Sequence, residues 1–412
     1  MNTASYVGSP VEREALLRRL AGVTFVIFFQ AYMVAPIVPA LSHIFAAPET
    51  AVAHIVPAYL IPYGVATLIY GLVADWAGIH RVLYGSLAAF AGLTLLSASA
   101  TSIDQLAAWR VATGLGAGGV VPLALVLVGR AFPYDERGRP LGWLFGAMAG
   151  GMAFGSPCGA LLMPLIGWRG LFVMVGLVGG MLLLVLLPYR RFLAAATPPQ
   201  TIKLTDVFSG YRQLLRNARA RRTYGYVLVN SMFHSGVFTW LAVYLEQRYR
   251  LDAVHVGLAL LGYGVPGFLL GPFIGRLADR YGRARIVPLG LVLSALGAAA
   301  LCLSVPVQAI PLVAMILSLG YDMTQPLFGG IVSSLGGQRP GQAMGLNVFT
   351  LFVGFGLGSL LFGVILAHGF EMALGLFAAC ELFAAVVSFS LFSSERRTDA
   401  SGEKAATAER PR

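Results

Sequence analysis

The sequence is poor in charge, in cysteine and in the motifs of enzymes. Only 11% of its 412 residues are charged, too few to cover the surface of a soluble domain. Cys158, Cys302 and Cys380 stand singly in separate apolar runs, which excludes a paired-thiol metal site and a disulfide framework. The sequence also lacks a metal-ligand cluster, a phosphate-binding loop and a nucleophile motif. We therefore expect no cofactor, no metal and no enzymatic activity.

The chain is instead rich in apolar sequence, since 57% of its residues are hydrophobic. A helix of about 20 apolar residues crosses the hydrocarbon layer of a bilayer, and twelve runs in the chain approach that length. They predict an all-α membrane protein with two pseudo-symmetric bundles of six transmembrane helices. The predicted spans lie near residues 20–40, 52–72, 82–100, 106–130, 141–163, 170–189, 223–245, 256–275, 286–304, 309–330, 342–367 and 371–393.

The basic residues predict the orientation of these spans. Lys and Arg collect in cytoplasmic loops, and 25 of the 29 basic residues fall on one side of the membrane when both termini are placed in the cytoplasm. We therefore expect a multi-pass protein of the cell inner membrane with both termini cytoplasmic. The net charge of +11 follows from this orientation, and we expect no nucleic-acid partner.

Two short charged loops repeat at a fixed distance along the chain, which indicates a duplication. Each residue of the first loop recurs 204 positions later (275 − 71, for example): the residues are Gly71, Asp75, Gly78 and Arg81, then Gly275, Asp279, Gly282 and Arg285. Transporters are commonly built from such repeats. We predict an N-terminal bundle over 1–189, a basic linker with an amphipathic interfacial helix over 190–222, a C-terminal bundle over 223–394 and a disordered tail over 395–412.

The Gly-x-x-x-Asp-x-x-Gly-x-x-Arg pattern of these loops resembles the signature loop of the major facilitator superfamily. Residues 110–116 in the fourth span and 151–159 in the fifth resemble motifs of its drug:proton antiporter-like branch, which includes predicted sugar-efflux permeases. The resemblance implies a secondary transporter that works by alternating access. It also gives the eight loop residues the role of a conformational latch, in which Asp75 faces a helix N-terminus. The alternative is an ordinary tight polar loop, which also favours Gly and Asp.

Gly151, Gly155 and Gly159 recur at a spacing of four around Pro157 in the fifth span. Because the resembling motif belongs to antiporters, the resemblance implies export. The same glycines leave one smooth helix face for close packing, and packing alone explains them equally well.

Charged side chains inside the spans are candidates for proton coupling or substrate binding, because a charge costs at least ~2.5 kcal/mol at the centre of a membrane helix. Arg110 lies about one turn inside the fourth span, and the resemblance links it to proton transfer. The alternative is a side chain that snorkels to the interface beside Trp109. Asp322 and Glu381 are the acids deep inside a span. The resemblance places the tenth helix at the central cavity, which favours Asp322 for function, and the role of Glu381 stays open.

Further polar side chains are predicted to lie near a central cavity. His234 is separated from Gln30 by 204 positions (234 − 30), and it is either a proton relay or a hydrogen-bonded core residue. Aromatic packing is the alternative for the two tyrosines of the second span. The predicted cavity-lining residues are Gln30, Tyr59, Tyr63, Asn230, Gln325 and Asn347.

These features together predict proton-coupled efflux of a small organic molecule, such as a drug, sugar or metabolite, by a monomer in the lipid bilayer. The first span carries Gln30 and no acid, which departs from many proton-coupled exporters of this branch. One alternative is proton-coupled uptake of a small solute, such as an anion or a siderophore, with Arg110 as charge partner. The other is a membrane enzyme or sensor that does not transport.

Overall fold

The computed structural model describes residues 10–132, 138–196, 204–263, 269–270, 273–274, 277, 280–303, 305–335 and 340–395. Within these ranges every regular element is a helix, as expected for apolar sequence that must satisfy its backbone hydrogen bonds inside a bilayer. The helices of the N-terminal half are α1 (Pro10–Tyr32), α2 (Val38–Phe45), α3 (Glu49–Ala53), α4 (Pro57–Ala77), α5 (Ile79–Ser97), α6 (Ile103–Ala117), α7 (Val120–Ala131), α8 (Gly138–Leu186) and α9 (Arg190–Ala196).

The helices of the linker and the C-terminal half continue the same pattern. They are α10 (Leu204–Arg216), α11 (Ala218–Tyr249), α12 (Ala253–Leu260), α13 (Arg283–Leu301), α14 (Ile310–Leu335), α15 (Pro340–Ile365) and α16 (Phe370–Leu391).

Ten helical stretches among the described residues are long and apolar enough to cross a membrane. One of them, Trp143–Ala194, is 52 residues long and covers both the fifth and the sixth predicted span. It is divided at Gly167, where φ is 69° and the backbone leaves helical geometry. The predicted eighth span, 256–275, lies partly outside the described residues. The ten stretches therefore agree with the twelve-helix architecture.

The first and the fourth predicted spans are each interrupted. The first is divided between α1 and α2 at a short 3₁₀ turn, Ala35–Ile37, where Pro36 has no N–H to continue the helical hydrogen bonds. The fourth, predicted as one helix over 106–130, is divided into α6 and α7 at Gly118 and Gly119.

The helices pack in the same way within each half. In the N-terminal half α1 packs along α8, and in the C-terminal half α11 packs along α15. The two halves meet where α4 lies against α15 and where α8 lies against α12. At the first of these contacts the Tyr63 ring lies 4.3 Å from the Phe352 ring, centroid to centroid. A solute path between the bundles would run along this interface.

Each half also closes on itself at one side of the molecule. Arg19 of α1 contacts Tyr189 after α8, and Arg219 of α11 contacts Glu395 after α16. We call this the terminal side. The ends of α2 and α11, near Phe45 and Tyr249, lie on the side that we call the opposite side.

The linker helix α10 docks on the C-terminal half. Tyr211 and Leu214 pack against a small buried cluster at the terminal side, formed by Ala220, Tyr224, Val332, Ala343 and Leu346. A helix therefore lies within the predicted linker, and the bounds of the linker and of the two bundles stay a prediction. Two apolar side chains of α10 are covered by protein rather than by the membrane interface, because the starts of α11 and α15 present an apolar surface beside it.

Candidate functional site

A small cavity lies between the halves, near the middle of α11 and α14. Its lining residues are Tyr32, Ala149, Met152, His234, Tyr263, Ser318 and Asp322. Its volume of about 20 Å³ is enough for one water molecule and too small for an organic solute. The halves must therefore separate before a solute can reach these side chains.

Asp322 lies in the middle of α14 and is half-buried. Ser318 is one turn earlier on the same helix face, and its Oγ donates a hydrogen bond to Asp322 Oδ2 at 2.9 Å. An ionised carboxyl group at this depth costs free energy, and a hydrogen bond to the carboxylate offsets part of that cost. The carboxyl group is thus held at a position where it lines the cavity.

His234 faces the same cavity from α11. The Tyr263 hydroxyl lies 2.9 Å from His234 Nδ1, and the Tyr321 ring stacks on the imidazole with centroids 3.7 Å apart. One turn earlier, Asn230 Nδ2 donates a hydrogen bond to Thr324 Oγ1 at 2.9 Å, so Asn230 ties α11 to α14 beside the cavity.

Arg110 lies elsewhere, inside the N-terminal half. Because α6 begins at Ile103, Arg110 is about two turns inside the helix, rather than the one turn expected from the sequence. Its side chain is fully buried, which excludes snorkelling beside Trp109. Its Nε donates a hydrogen bond to the Ile55 carbonyl at 3.1 Å, and its guanidinium carbon lies 4.3 Å from the centre of the Tyr59 ring. Within the described part of the chain, Nη1 and Nη2 have no hydrogen-bond acceptor.

The other polar side chains predicted for a cavity lie outside the lining of this one. Tyr59 and Tyr63 stack on each other with centroids 5.8 Å apart, which is the packing arrangement that the sequence left open. Gln30 and Asn347 are buried and Gln325 is half-buried. Each of these three has a buried amide atom with no hydrogen-bond partner among the described residues.

The glycines of α8 bring that helix into backbone contact with α1. A Cβ atom at Gly151 would lie 2.5 Å from the Phe25 carbonyl oxygen, and one at Gly155 would lie 2.7 Å from the Phe29 carbonyl oxygen. Only glycine permits this approach, and the helix continues through Pro157. These contacts fit the packing interpretation, and a role of the segment in antiport stays a prediction.

The two repeated loops share one backbone conformation. Gly78 has φ 89° and ψ 133° and immediately precedes α5. Gly282 has φ 82° and ψ 146° and immediately precedes α13. Residues with a side chain rarely adopt this region, so glycine is required at both positions of the repeat.

The latch itself stays a prediction. Arg81 and Arg285 are exposed and lie in the first turn of the helices that follow the two loops. Two of the eight loop residues, Gly275 and Asp279, lie outside the described residues. The structure also does not describe the surroundings of Gly71 or the side chain of Asp75.

Polar contacts join the two halves at the opposite side. His43 Nε2 on α2 lies 3.2 Å from Glu246 Oε1 near the end of α11. Beside it, Gln247 Nε2 donates a hydrogen bond to Glu49 Oε2 at 2.5 Å. These contacts bridge the halves at that side, so a solute entering from there would first have to break them.

Sequence reasoning missed four hydroxyl-bearing side chains around the cavity: Tyr32, Ser318, Tyr263 and Tyr321. The spacing alone could have identified Ser318, because residues four apart share a helix face and Asp322 was already a candidate. The tyrosines gave no such signal, because an aromatic residue in an apolar span is ordinarily a packing residue.

Comparison with known proteins identifies the family. The sequence profile of the Major Facilitator Superfamily matches residues 20–267 and 249–411, which together cover both bundles. The chain belongs to the major facilitator superfamily. It is therefore a multi-pass membrane transporter of small solutes and not an enzyme.

The names of individual relatives refer to different solutes. The chain is 24% identical over 416 residues to a multidrug resistance protein B homolog of Mycobacterium tuberculosis, covering 86% of this chain and 77% of that protein. It is 34% identical over 151 residues to the 4-hydroxybenzoate transporter of Pseudomonas putida, covering 37% of this chain and 34% of that protein. The crystal structure of a D-xylose-proton symporter superimposes with a TM-score of 0.71 at 16% identity, covering 93% of this chain and 98% of the symporter. That likeness establishes the shared fold.

Proposed function

We propose that this transporter couples solute movement to proton movement through the cavity that Asp322 and His234 share, and that it exports a small organic molecule. The observation that carries the proposal is the position of Asp322, a half-buried carboxyl group in the middle of an apolar span and in the lining of the cavity between the halves. As the bundles rock, this carboxyl group would be exposed first to one side of the membrane and then to the other. It could bind a proton on one side and release it on the other, which provides a physical basis for coupling.

The test begins with a solute screen, because the substrate must be known before coupling is measured. Ligands of the native state raise its melting temperature, so the purified protein is heated with sugars, organic acids, siderophores and cationic drugs at mildly acidic and mildly alkaline pH. The stabilising solute is then followed in proteoliposomes under an imposed pH gradient.

Substitution of the carboxyl group then tests the coupling itself. Asp322→Asn should abolish flux driven by the pH gradient and leave folding intact, because the amide fills the same volume and does not titrate. Glu381→Gln is the matched control. Glu381 is also fully buried in a span, but it lies outside the cavity lining. Undiminished gradient-driven flux in Asp322→Asn would refute the assignment.

Export is supported by the antiporter-like segment of α8 and by the multidrug resistance relative in Mycobacterium tuberculosis. The direction is measured by comparing inside-out and right-side-out vesicles. In both, the pH gradient is imposed so that the face of the protein opposite the cytoplasmic face is the acidic one. Accumulation of the solute in inside-out vesicles with an acidic lumen is the expected result. Accumulation that occurs only in right-side-out vesicles with an alkaline lumen would contradict export.

Uptake of a small anionic solute is the second candidate, and Arg110 is the observation that favours it. A fully buried guanidinium group with two nitrogens lacking acceptors among the described residues is suited to an incoming anion. A relative named as a 4-hydroxybenzoate transporter also fits an anionic solute. The same pair of vesicle measurements separates uptake from export.

A further inference from the structure

The N-terminal half contains a buried positive charge that proton coupling at Asp322 and His234 does not use. Arg110 is fully buried, and its described contacts are a backbone carbonyl, that of Ile55, and an aromatic ring, that of Tyr59. Neither contact carries a full negative charge. A guanidinium group in this position is expensive unless an anion compensates it.

The two free nitrogens define what is missing. Nη1 and Nη2 are both buried and have no acceptor within the described part of the chain. They are the two adjacent donors of the guanidinium fork, and a carboxylate accepts from such a fork with both of its oxygens. A neutral solute has no group that satisfies both donors and the charge together.

Aromatic side chains connect this charge to the interface between the halves. The Tyr59 ring covers the guanidinium at 4.3 Å, Tyr63 stacks on Tyr59 at 5.8 Å, and Phe352 of the other half lies 4.3 Å from Tyr63. The hydroxyl groups of Tyr59 and Tyr63 are themselves buried without hydrogen-bond partners among the described residues. Two more polar groups beside the charge are thus available to a ligand.

We propose that Arg110, Tyr59 and Tyr63 form a carboxylate-binding site and that the transported solute is a small organic carboxylate. The carboxylate accepts hydrogen bonds from the Arg110 fork and a tyrosine hydroxyl, and the apolar part of the solute lies toward Phe352. The inference rests on the proposed transport function and names its substrate class. It gives Arg110 a role in recognition, distinct from the proton transfer that the family resemblance implies.

The site is closed in the present conformation, because Tyr63 and Phe352 are in contact across the interface. The same rocking of the halves that opens the cavity at Asp322 would separate these two rings.

Binding to the purified full-length protein tests the proposal without requiring transport. The probes are lactate, benzoate, 4-hydroxybenzoate and gluconate, each compared with its own amide by thermal shift and by calorimetry. At least one acid should bind and its amide should bind about ten- to a hundredfold more weakly, because the amide lacks the charge that a buried fork requires. Equal binding of acid and amide, or no binding of any acid, would overturn the proposal.

Substitutions then assign the binding to this site. Arg110→Gln should lower the affinity for the acid to that for the amide, and its melting temperature without ligand should be unchanged or higher, because a buried unpaired charge has been removed. Arg169→Gln is the matched control. Arg169 is an arginine of the same half that covers an aromatic ring, Trp168, at 4.3 Å, but it is exposed. The Arg169→Gln variant should therefore bind the acid with normal affinity.

A second pair of variants keeps the test decisive if Arg110→Gln does not fold. Tyr59→Phe and Tyr63→Phe preserve both rings and remove only unpartnered hydroxyl groups, so folding should be intact. At least one of these substitutions should lower the affinity for the acid several-fold and leave the affinity for the amide unchanged. Unchanged affinity for the acid in both variants would refute a site at these side chains.

The outcomes also separate this proposal from the proposed function. Binding of a carboxylate that depends on Arg110, with no flux in proteoliposomes, would support the site and contradict proton-coupled transport. Proton-driven flux of a neutral solute, with no carboxylate bound, would support transport and contradict the site.

Discussion

The two halves of the molecule share a framework and differ in chemistry. In the N-terminal half, Gly151 and Gly155 approach α1. In the C-terminal half, Gly354 and Gly358 approach α11 in the same way. Each glycine of the first pair has its counterpart 203 positions later (354 − 151 and 358 − 155). The carbonyl groups that they approach are separated by the same distance, since Phe25 corresponds to Leu228 and Phe29 to Met232. Backbone-to-backbone packing therefore follows the duplication.

The polar side chains within that framework do not follow it. The N-terminal half buries a cation, Arg110, and the C-terminal half places an acid and a histidine, Asp322 and His234, at a cavity. Tyr59 and Tyr263 occupy positions 204 apart (263 − 59), yet Tyr59 covers the arginine and Tyr263 contacts the histidine. The framework thus rests on glycines, whereas the polar positions differ between the halves. This difference fits the proposed division of proton coupling and solute recognition between them.

Separate loss of the two tasks is the largest effect expected from this comparison. Asp322→Asn should abolish gradient-driven flux and leave solute binding close to normal, because the role proposed for the carboxyl group is to carry the proton. Arg110→Gln should reduce solute binding and with it all flux, driven or passive. Flux and equilibrium binding are measured on the same preparations.

The division would be refuted if the two variants had the same phenotype. Loss of binding in Asp322→Asn would mean that the acid touches the solute. Normal binding with lost coupling in Arg110→Gln would return the arginine to proton transfer.

The glycine contacts test the shared framework. Gly155→Ala and Gly358→Ala should each destabilise the protein by about 1–3 kcal/mol, because the added methyl group meets a backbone carbonyl that cannot move away alone. The free energy of unfolding is measured by chemical denaturation in detergent micelles. A large effect in one half only would show that the two packings are not equivalent.

Gly375→Ala is the control for these two variants. Gly375 lies in α16 and a Cβ atom there would meet nothing within 4 Å, so the substitution should be neutral or stabilise the helix by up to about 1 kcal/mol.

The positive-φ glycines of the two loops give a second test of the shared framework, with an effect of about the same size. Gly78→Ala and Gly282→Ala should each cost about 1–3 kcal/mol of stability, since alanine is strained at φ near +85°. Gly85→Ala, in the helix that follows Gly78 and with nothing within 4 Å of its Cβ position, should not be destabilised. Equal stability of the three variants would show that the loops relax without cost.

The framework was predictable because its signals are local. Apolar runs, basic loops and the glycine offset gave the membrane class, the twelve spans and the duplication, and the family comparison agrees with them. The ends and breaks of the helices were less accessible. The sequence showed no interruption of the fourth span at Gly118, because two glycines in an apolar run are ordinary in membrane helices.

The site was predictable only in part. Asp322 and His234 were identifiable because an acid and a histidine are costly or rare inside a span, and the structure places both at one cavity. The environment of Arg110 was not predictable. Its burial depends on how Tyr59 of α4 packs over α6, a tertiary contact that neither charge nor periodicity reveals.

The terminal-side contacts of the two halves differ in the group that accepts the hydrogen bonds. Arg19 Nη1 donates to the Tyr189 hydroxyl at 2.6 Å. In the other half, Arg219 Nε and Nη2 donate to the two carboxylate oxygens of Glu395 at 2.6 and 2.7 Å, and Arg222 Nη2 adds a third bond at 2.6 Å. These hydrogen bonds, first of all those from Arg219, lower the pKa of Glu395 below its ordinary value of 4.5.

The sign of the resulting pH dependence follows from that direction. A carboxyl group with a lowered pKa in the folded protein stabilises it above the pKa of the unfolded chain, and the stabilisation is lost as the pH falls through the folded value. Glu395→Gln should therefore cost about 1 kcal/mol at pH 7 and progressively less below about pH 4.5. Tyr189→Phe removes the hydroxyl group that accepts from Arg19 and should cost about 1 kcal/mol. The free energy of unfolding of both variants is measured between pH 7 and pH 3. A cost of Glu395→Gln that stayed constant down to pH 3 would show that the Glu395 contact contributes through packing rather than charge.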